Sequence, residues 1–165
     1  MNDKKIDPIR PTDDEARALA RRLIAEAKFA SLGVLEPGTG MPLVSRVAVA
    51  AEKDGSPFLL ASDLSLHSRA LALDARASLL FGEPPGKGDP LAFPRVTVIG
   101  RIAKLPHDGA SHAERRAFWL KKHPKAQLYV DFADFFFWKM AVERAHLNGG
   151  FGKAYVLTPE DLRAA

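Results

Sequence analysis

Two apolar stretches separated by a short polar turn constrain the fold of this chain more than any other feature. Residues 43–52 read LVSRVAVAAE, residues 53–56 read KDGS, and residues 57–62 read PFLLAS. An Asp-Gly pair between two apolar runs is typical of a β-hairpin, because these residues tolerate the backbone of a tight turn. The sequence therefore predicts antiparallel neighbours here, not the parallel strands of a βαβ unit.

The rest of the chain contains more strand-like than helix-like segments. Apolar runs mark further strands at residues 29–36, 77–83, 94–105, 134–147 and 151–157. Alternation in the 134–147 strand predicts one shared face for Phe136, Trp138, Met140 and Val142. Gly100 predicts a bulge or bend within its strand. Helices do not alternate regularly with strands, as they would in a parallel doubly wound fold. About six or seven strands joined largely by hairpin-type turns favour an antiparallel barrel, because closure removes exposed sheet edges.

Helical patterns are predicted beside these strands. Thr12 and Glu15 have the spacing of a capping box at the start of a helix over residues 13–29. A short helix is predicted over residues 67–75, and Asp108 is predicted to cap a third, amphipathic helix. These helices flank the barrel, which makes the fold mainly β within the α+β class.

The length of 165 residues and a hydrophobic content of 47% suit one ordinary domain with a real core. Residues 1–11 are polar and contain Pro8 and Pro11, so we expect a flexible N-terminal arm. Residues 12–165 are predicted to form a single domain.

Composition and charge exclude several classes of function. The net charge is +4, with Lys and Arg scattered among Asp and Glu, so we expect no nucleic-acid partner. A mildly basic balance equally suits a small anionic ligand such as a phosphate ester. The sequence has no cysteine, no secretory signal and no apolar run long enough for a membrane span. We therefore expect a cytoplasmic protein without thiol chemistry or a membrane partner.

Familiar catalytic motifs are missing. The sequence contains no G-x-G-x-x-G after a strand, no P-loop, no H-E-x-x-H and no G-x-S-x-G. The histidines at positions 107, 112, 123 and 146 show no ligand spacing with nearby carboxylates, so we expect no metal site. No side chain is identified as a catalytic acid or base.

Hydroxyl and cationic side chains cluster where the 57–62 strand gives way to the short helix. If the helix begins near Leu66, its unpaired N–H groups attract anions, and Ser65, His67 and Arg69 add donors and positive charge. Simple capping by Ser65 explains the same residues equally well. Arg46, in an otherwise apolar strand, is either a partner for a bound anion or an outward-facing edge residue.

The stretch SRVAVAAEKDGSPFLLASDLSLHSRALALDARASLLF resembles the FMN-binding split-barrel family related to pyridoxamine 5′-phosphate oxidase. The shared pattern is an Arg in a strand, Asp-Gly, a strand, Ser-x-[Lys/His] opening a helix, and R-x-SLLF. RVTVIGRIAKL and NGGFGKAYVL match later barrel strands, so the resemblance covers about residues 20–158. Ser65-x-His67 and GGFGKAYVL are most similar to the branch associated with haem utilisation.

The resemblance implies a six-stranded split β-barrel and a homodimer with flavin sites at the interface. It implies that Arg46 and Ser65 contact the FMN phosphate, with His67 standing where the oxidases have Lys. It places Arg95 near the pyrimidine edge of the flavin ring. The family resemblance and the hypothesis of an anion site at the strand–helix junction together give eight candidate cofactor-binding residues. They are Arg46, Val47, Ala61, Ser62, Ser65, His67, Arg69 and Arg95.

The chain also departs from the family pattern. Asn148 replaces a Trp of the oxidases, and Gly152 replaces the Arg that holds the substrate phosphate, so oxidase activity on pyridoxamine phosphate is not expected. The haem-utilisation branch carries a haem-ligating His in a C-terminal segment. This sequence ends at Ala165 and its last histidine is His146, so we expect no haem ligation by that route.

The resemblance leads to the prediction of an FMN-dependent oxidoreductase that passes electrons or hydride to or from a small molecule, with a tetrapyrrole as one candidate. A haem-binding or haem-utilisation protein, or a non-catalytic flavin carrier or sensor, is the alternative. A third hypothesis is a structural dimer whose site binds neither flavin nor haem. The Phe-rich stretch DFADFFFWKM fits a subunit interface or core filling equally well.

Overall fold

The computed structural model describes residues 7–163 and contains seven strands and four α-helices. The strands are β1 Phe29–Leu35, β2 Pro42–Ala51, β3 Pro57–Ser62, β4 Arg76–Phe81, β5 Arg95–Lys104, β6 Phe135–Asn148 and β7 Ala154–Leu157. The helices are α1 Asp14–Glu26, α2 Leu66–Leu73, α3 Ala110–Lys122 and α4 Pro159–Leu162. Short 3₁₀ turns lie at Pro90–Ala92 and Pro124–Leu128.

Six strands close into an antiparallel barrel. They follow the order β3-β2-β1-β4-β5-β6, and a pairing between β3 and β6 closes the ring. The seventh strand, β7, pairs with the far half of β6 outside the ring. The predicted six-stranded antiparallel barrel with flanking helices is therefore confirmed.

The β2–β3 hairpin and the bulge at Gly100 form as the sequence predicts. Val49 pairs with Leu59, and Gly55 turns the chain with a φ of 81°. The register between β5 and β6 shifts between Ile99 and Gly100. A Cβ atom at Gly100 would lie 2.1 Å from the carbonyl oxygen of Ala141, so glycine is required at this close approach of the two strands.

Two apolar clusters divide the aromatic side chains of β6 between them. Trp138 and Met140 point into the barrel, with Phe136 and Val142 packed beside them, which confirms the predicted face of this strand. Phe137 points outward into a second cluster beneath α3, where its ring lies 5.7 Å from that of Trp119. Core filling and helix packing therefore account for most of the Phe-rich stretch.

The predicted capping box at Thr12 and Glu15 is wrong. Asp13 caps α1, because its carboxylate accepts a hydrogen bond from the Ala16 amide at 2.8 Å. The Thr12 hydroxyl instead donates to the carbonyl oxygen of Val156 at 2.8 Å, which ties the start of α1 to β7. The helix ends at Glu26, three residues before the predicted end, where the chain turns into β1.

The predicted start of α3 and the predicted range of α2 have different outcomes. Asp108 does not cap α3, because Gly109 occupies the N-cap position with no side-chain hydrogen bond. The short helix α2 runs over Leu66–Leu73, close to the predicted 67–75.

The segment before α1 lies along β7. Ile9 forms a parallel bridge with Ala154, and the Arg10 amide donates to the Ala154 carbonyl oxygen at 2.8 Å. Residues 1–6 of the predicted flexible arm lie outside the described residues. Within residues 7–163, none of the helices is both long and apolar enough to cross a membrane.

Candidate ligand-binding face of the barrel

A row of side chains crosses the outside of the barrel. Register pairs join the row in sequence from β2 to β7 and place all of its members on one face. We call this the outer row, and it consists of Arg46, Ser31, Leu80, Thr97, His146 and Val156.

The outer row is uncovered in the described chain, whereas the neighbouring part of β2 is not. Ala48 and Ala50 also face outward, but they pack in the apolar cluster beneath α3. Arg46 and Val44 lie beyond the reach of that cluster and are exposed. Arg46 therefore faces outward, and its role as a partner for a bound anion stays a prediction.

Arg46 contributes to a cleft of about 230 Å³ at one end of the outer row, which we call the arginine cleft. Its guanidinium lies 5.3 Å from the centre of the Phe29 ring, within the range of a cation–π contact. Arg95 also lines the cleft, together with Phe81 and the carboxylate-bearing residue Glu83. Two of the predicted cofactor-binding residues, Arg46 and Arg95, therefore line one cleft.

A second cleft of about 430 Å³ adjoins the first along the outer row, and we call it the His146 groove. Leu80 and Arg95 line both clefts, so the two form one continuous surface feature. The remaining wall of the groove comes from Ile9, Thr97, His146, Leu147, Asn148, Ala154, Tyr155 and Val156.

Backbone contacts hold Arg95 in place between the two clefts. One guanidinium nitrogen donates to the carbonyl oxygens of Leu91 at 3.1 Å and Phe93 at 3.3 Å. A guanidinium has five N–H donors, so these two contacts orient the group and leave donors for a ligand. The guanidinium of Arg95 is therefore held in position and keeps donors that could bind an anion.

The β3–α2 junction forms the cap that the sequence predicts. Ser65 is the N-cap of α2, and its hydroxyl accepts a hydrogen bond from the Ser68 amide at 3.4 Å. The same hydroxyl donates to the carbonyl oxygen of Ser62 at 2.8 Å and lies 2.8 Å from the Ser68 hydroxyl. The Ser65 hydroxyl is thus fully engaged, and the amides of Leu66 and His67 are the first-turn donors that remain for an anion.

His67 connects α2 to β2. Its Nδ1 atom lies 3.3 Å from the hydroxyl of Ser45, the residue before Arg46. Burial lowers the pKa of the His67 imidazole, which favours its neutral form near neutral pH. Because successive side chains of a strand point to opposite faces, Ser45 and Arg46 point away from each other. The junction and Arg46 therefore meet at the backbone of β2 but lie on opposite faces of it.

Carboxylates also surround the junction. The Ser62 hydroxyl donates to the carboxylate of Asp134, and the Asp63 amide donates to the Asp134 carbonyl oxygen at 2.7 Å. The Asp63 carboxylate pairs with Lys104 at 2.6 Å. This negative charge makes the junction a less favourable phosphate site than its serines, histidine and helix N-terminus alone predict.

The remaining predicted residues lie apart from the two clefts. Val47 and Ala61 are buried in the barrel core, and Arg69 is exposed on α2. The sequence did not identify Phe29, Leu80 or the groove around His146 as parts of a site. The period-2 pattern through Arg46 and the strand pairings could have identified them, because register alone places them on one face.

A larger cleft of about 540 Å³ lies between α3 and the β2–β3 hairpin. At its floor, opposite carboxylate oxygens of Glu52 bind Arg115 and Lys139, each at 2.6 Å. Burial alone would raise the pKa of Glu52, but the hydrogen bonds from these two cations hold it below its ordinary value. These charges neutralise one another, so the network supports the fold of the hairpin more directly than it supports a ligand.

No cluster of three or more His, Cys, Asp or Glu side chains able to hold a metal ion occurs among residues 7–163. The candidate site is therefore the outer face of the barrel, where two cationic side chains line a mixed cleft that adjoins a largely apolar groove.

A closed six-stranded antiparallel β-barrel with flanking helices defines the class of fold to which the chain belongs. A family model described as CREG, beta-barrel, matches residues 11–163. The chain belongs to this family.

Three similar proteins illustrate the range of the fold. A protein of Arabidopsis thaliana named non-canonical heme oxygenase HOZ, chloroplastic, is 32% identical over 117 residues, which cover 71% of this chain and 35% of that protein. The structure of a heme binding protein from Mycobacterium smegmatis is 34% identical with a TM-score of 0.80, and the match covers 93% of this chain and 61% of that one. The present chain thus spans about a third of the plant protein and 61% of the mycobacterial one.

The third structure shows the fold alone. It is a protein from Clostridium acetobutylicum related to general stress protein 26 of Bacillus subtilis, of the pyridoxinephosphate oxidase family. It is 16% identical with a TM-score of 0.69, and the match covers 92% of this chain and 99% of that one.

Proposed function

We propose that this protein binds haem on the outer face of its barrel and serves haem utilisation. The observation that carries the proposal is the pair of guanidinium groups, Arg46 and Arg95, in a mixed polar and apolar cleft that continues into the largely apolar His146 groove. Haem presents a flat hydrocarbon ring with two carboxylates. Arginine binds carboxylates with two parallel hydrogen bonds, and apolar side chains accept the ring.

The side chains present fit such a ligand. Phe29, Leu80 and Val156 are each partly exposed, with 38%, 43% and 37% of their surface accessible, and they offer apolar area beside the arginines. The relatives from Arabidopsis and Mycobacterium, at 32% and 34% identity, are both named for haem. When bound, haem supplies oxygen and electron chemistry, and the protein sets its ligation, polarity and access.

A second copy of the chain is the proposed cover of this face. Two further apolar side chains are exposed near the outer row: Val44, two residues before Arg46, at 68%, and Leu91, whose carbonyl oxygen contacts Arg95, at 65%. Burial of such a surface in a homodimer would remove apolar area from water and shield a ligand held against it. Light scattering should therefore report a dimer, and a monomer in the presence of ligand would contradict this part of the proposal.

Titration of the purified protein with ferric haem tests the proposal directly. We expect a shifted Soret band and saturable binding, with weaker affinity in Arg46→Ala and Arg95→Ala. Arg22→Ala, an exposed arginine on α1, is the matched control and should bind as the wild type does. Absence of saturable binding by the wild-type protein would contradict the proposal.

FMN is the second candidate ligand, and the β3–α2 junction favours it. The free amides of Leu66 and His67 and the dipole of α2 are suited to a phosphate group, and Arg46 follows Ser45, which contacts His67. An FMN titration followed by flavin fluorescence tests this, with Ser65→Ala and His67→Ala expected to weaken binding. A steady-state NAD(P)H oxidation assay with added FMN would then separate an oxidoreductase from a flavin carrier.

A further inference from the structure

His146 occupies the centre of the His146 groove. It lies in the outer row between Thr97 of β5 and Val156 of β7, and its side chain is exposed. Its partners in register hold the backbone on both sides, so the imidazole is presented from a rigid strand. A ligand that enters the groove therefore meets an imidazole whose point of attachment to the backbone is fixed by the sheet.

The other histidines are engaged elsewhere in the fold. His67 contacts Ser45 at 3.3 Å, while His107 and His123 contact the carbonyl oxygens of Phe135 and Val49 at 2.6 Å and 2.9 Å. The ring of His112 packs 5.7 Å from that of Phe137. In the part of the chain that the structure describes, the side chain of His146 makes no hydrogen bond and is available for an external ligand.

Cationic side chains flank His146 on its own face. Arg95 pairs with Asn148, two residues beyond His146, and such diagonal neighbours have Cα atoms roughly 7–8 Å apart. Arg144 lies two residues before His146, is exposed, and contacts Glu143 at a weak 3.9 Å. An imidazole between two guanidinium groups suits a metal-bearing ligand with negatively charged substituents.

The walls of the groove on either side of His146 are apolar. Leu80 borders it on β4, and Ile9, bridged to Ala154, borders it beyond β7. Ile9 keeps 46% of its surface exposed, so apolar area remains for a ring. The groove itself therefore offers one imidazole, the Arg95 guanidinium, a few neutral polar groups and hydrocarbon, with Arg144 beside it, and its lining lacks the carboxylate cluster that a bare divalent cation prefers.

We infer that His146 supplies an axial ligand to the iron of haem, with Arg95 and Arg144 as charge partners of its carboxylates. This rests on the proposed function, which it deepens by naming the ligating residue. A neutral imidazole is the commonest protein ligand of haem iron. The inferred ligand lies on the barrel strand β6.

The test is haem reconstitution of the full chain, followed by resonance Raman spectroscopy of the ferrous form and affinity titration. The wild-type protein should show an iron–histidine stretch. His146→Ala should lose this signal and bind haem at least about tenfold more weakly, since even the outer partners of metal ligands contribute about 10–100-fold to metal affinity. His112→Ala is the matched control and should keep both properties.

A second variant separates ligation from structural damage. His146→Gly leaves space for free imidazole, so added imidazole should restore the spectrum of the wild-type complex. An unchanged iron–histidine signal in His146→Ala would overturn the inference. A wild-type complex that binds haem without an iron–histidine signal would overturn it too and leave the proposed function standing. A wild-type protein that binds no haem would overturn both.

Discussion

The β3–α2 junction and the outer row both carry cationic and polar side chains, but they differ in what those side chains already contact. At the junction, the hydroxyls of Ser65 and Ser62 are bound within the protein, and His67 lies against Ser45. On the outer row, Arg46 contacts an aromatic ring and His146 makes no internal hydrogen bond among the described residues. The polar side chains of the β3–α2 junction therefore mainly stabilise the fold, whereas the outer row leaves side chains available for a ligand.

Removal of the two arginines should give the largest effect and the strongest test of this difference. Hydrogen bonds to charged groups contribute about 1.5–3 kcal/mol each, so Arg46→Ala and Arg95→Ala should each weaken haem binding about 10–100-fold. Titration of each single variant and of the double variant would measure this. Haem affinity that stayed constant in the double variant would remove the outer row from the site.

Ser65→Ala should have the opposite effect to the arginine variants: it should lower stability without lowering haem affinity. Loss of an N-cap hydroxyl costs about 1 kcal/mol of folding free energy, whereas haem affinity should not change. Urea denaturation and haem titration on the same preparation would show both results. Ser111→Ala on the exposed start of α3 serves as the control. A large loss of haem affinity in Ser65→Ala would bring the junction into the haem site.

The β3–α2 junction should also make the stability of the protein depend on pH, through the imidazole of His67. Burial lowers the pKa of folded His67 below its ordinary value of 6.5, so the unfolded chain binds a proton more readily than the folded one. Stability should therefore fall as the pH drops below 6.5 and level off below the folded pKa. His67→Gln should reduce this slope in urea midpoints measured across that range. An unchanged slope would show that the other buried histidines, His112 and His123, carry the effect.

Arg69→Ala should have the smallest effect. The side chain is exposed on α2, and surface changes away from specific contacts usually alter stability by less than about 0.5 kcal/mol. Neither the denaturation midpoint nor haem affinity should move. A measurable loss of FMN affinity in this variant would instead favour a phosphate at the junction.

The fold was predictable because local signals agreed with one another. Asp54 and Gly55 predicted the hairpin, Gly100 predicted the bulge, and alternation along β6 predicted which side chains face the core. Caps were harder, because Thr12 and Asp13 are both good N-caps. A distant contact of Thr12 with Val156 decided between them, and such a contact has no local signal.

The candidate site was predictable in part. Arg46 and Arg95 were identified separately, and the structure places both in one cleft. Their proximity depends on which strands are neighbours, and the sequence does not state the order of strands around a barrel. The sequence did not identify the groove around His146 for the same reason, because that groove requires Ile9, far away in the chain, to lie beside β7.

The position of Ile9 has a practical consequence for anyone who handles this protein. A wall of the groove belongs to the polypeptide that precedes the first helix, held by Arg10 and Thr12 against β7. Trimming the start of the polypeptide to residue 13, as is often done to aid crystallisation, would leave the barrel closed and yet change the surface that meets the ligand. Ligand-binding work therefore requires a sample with its natural leading residues and no fused tag on that side.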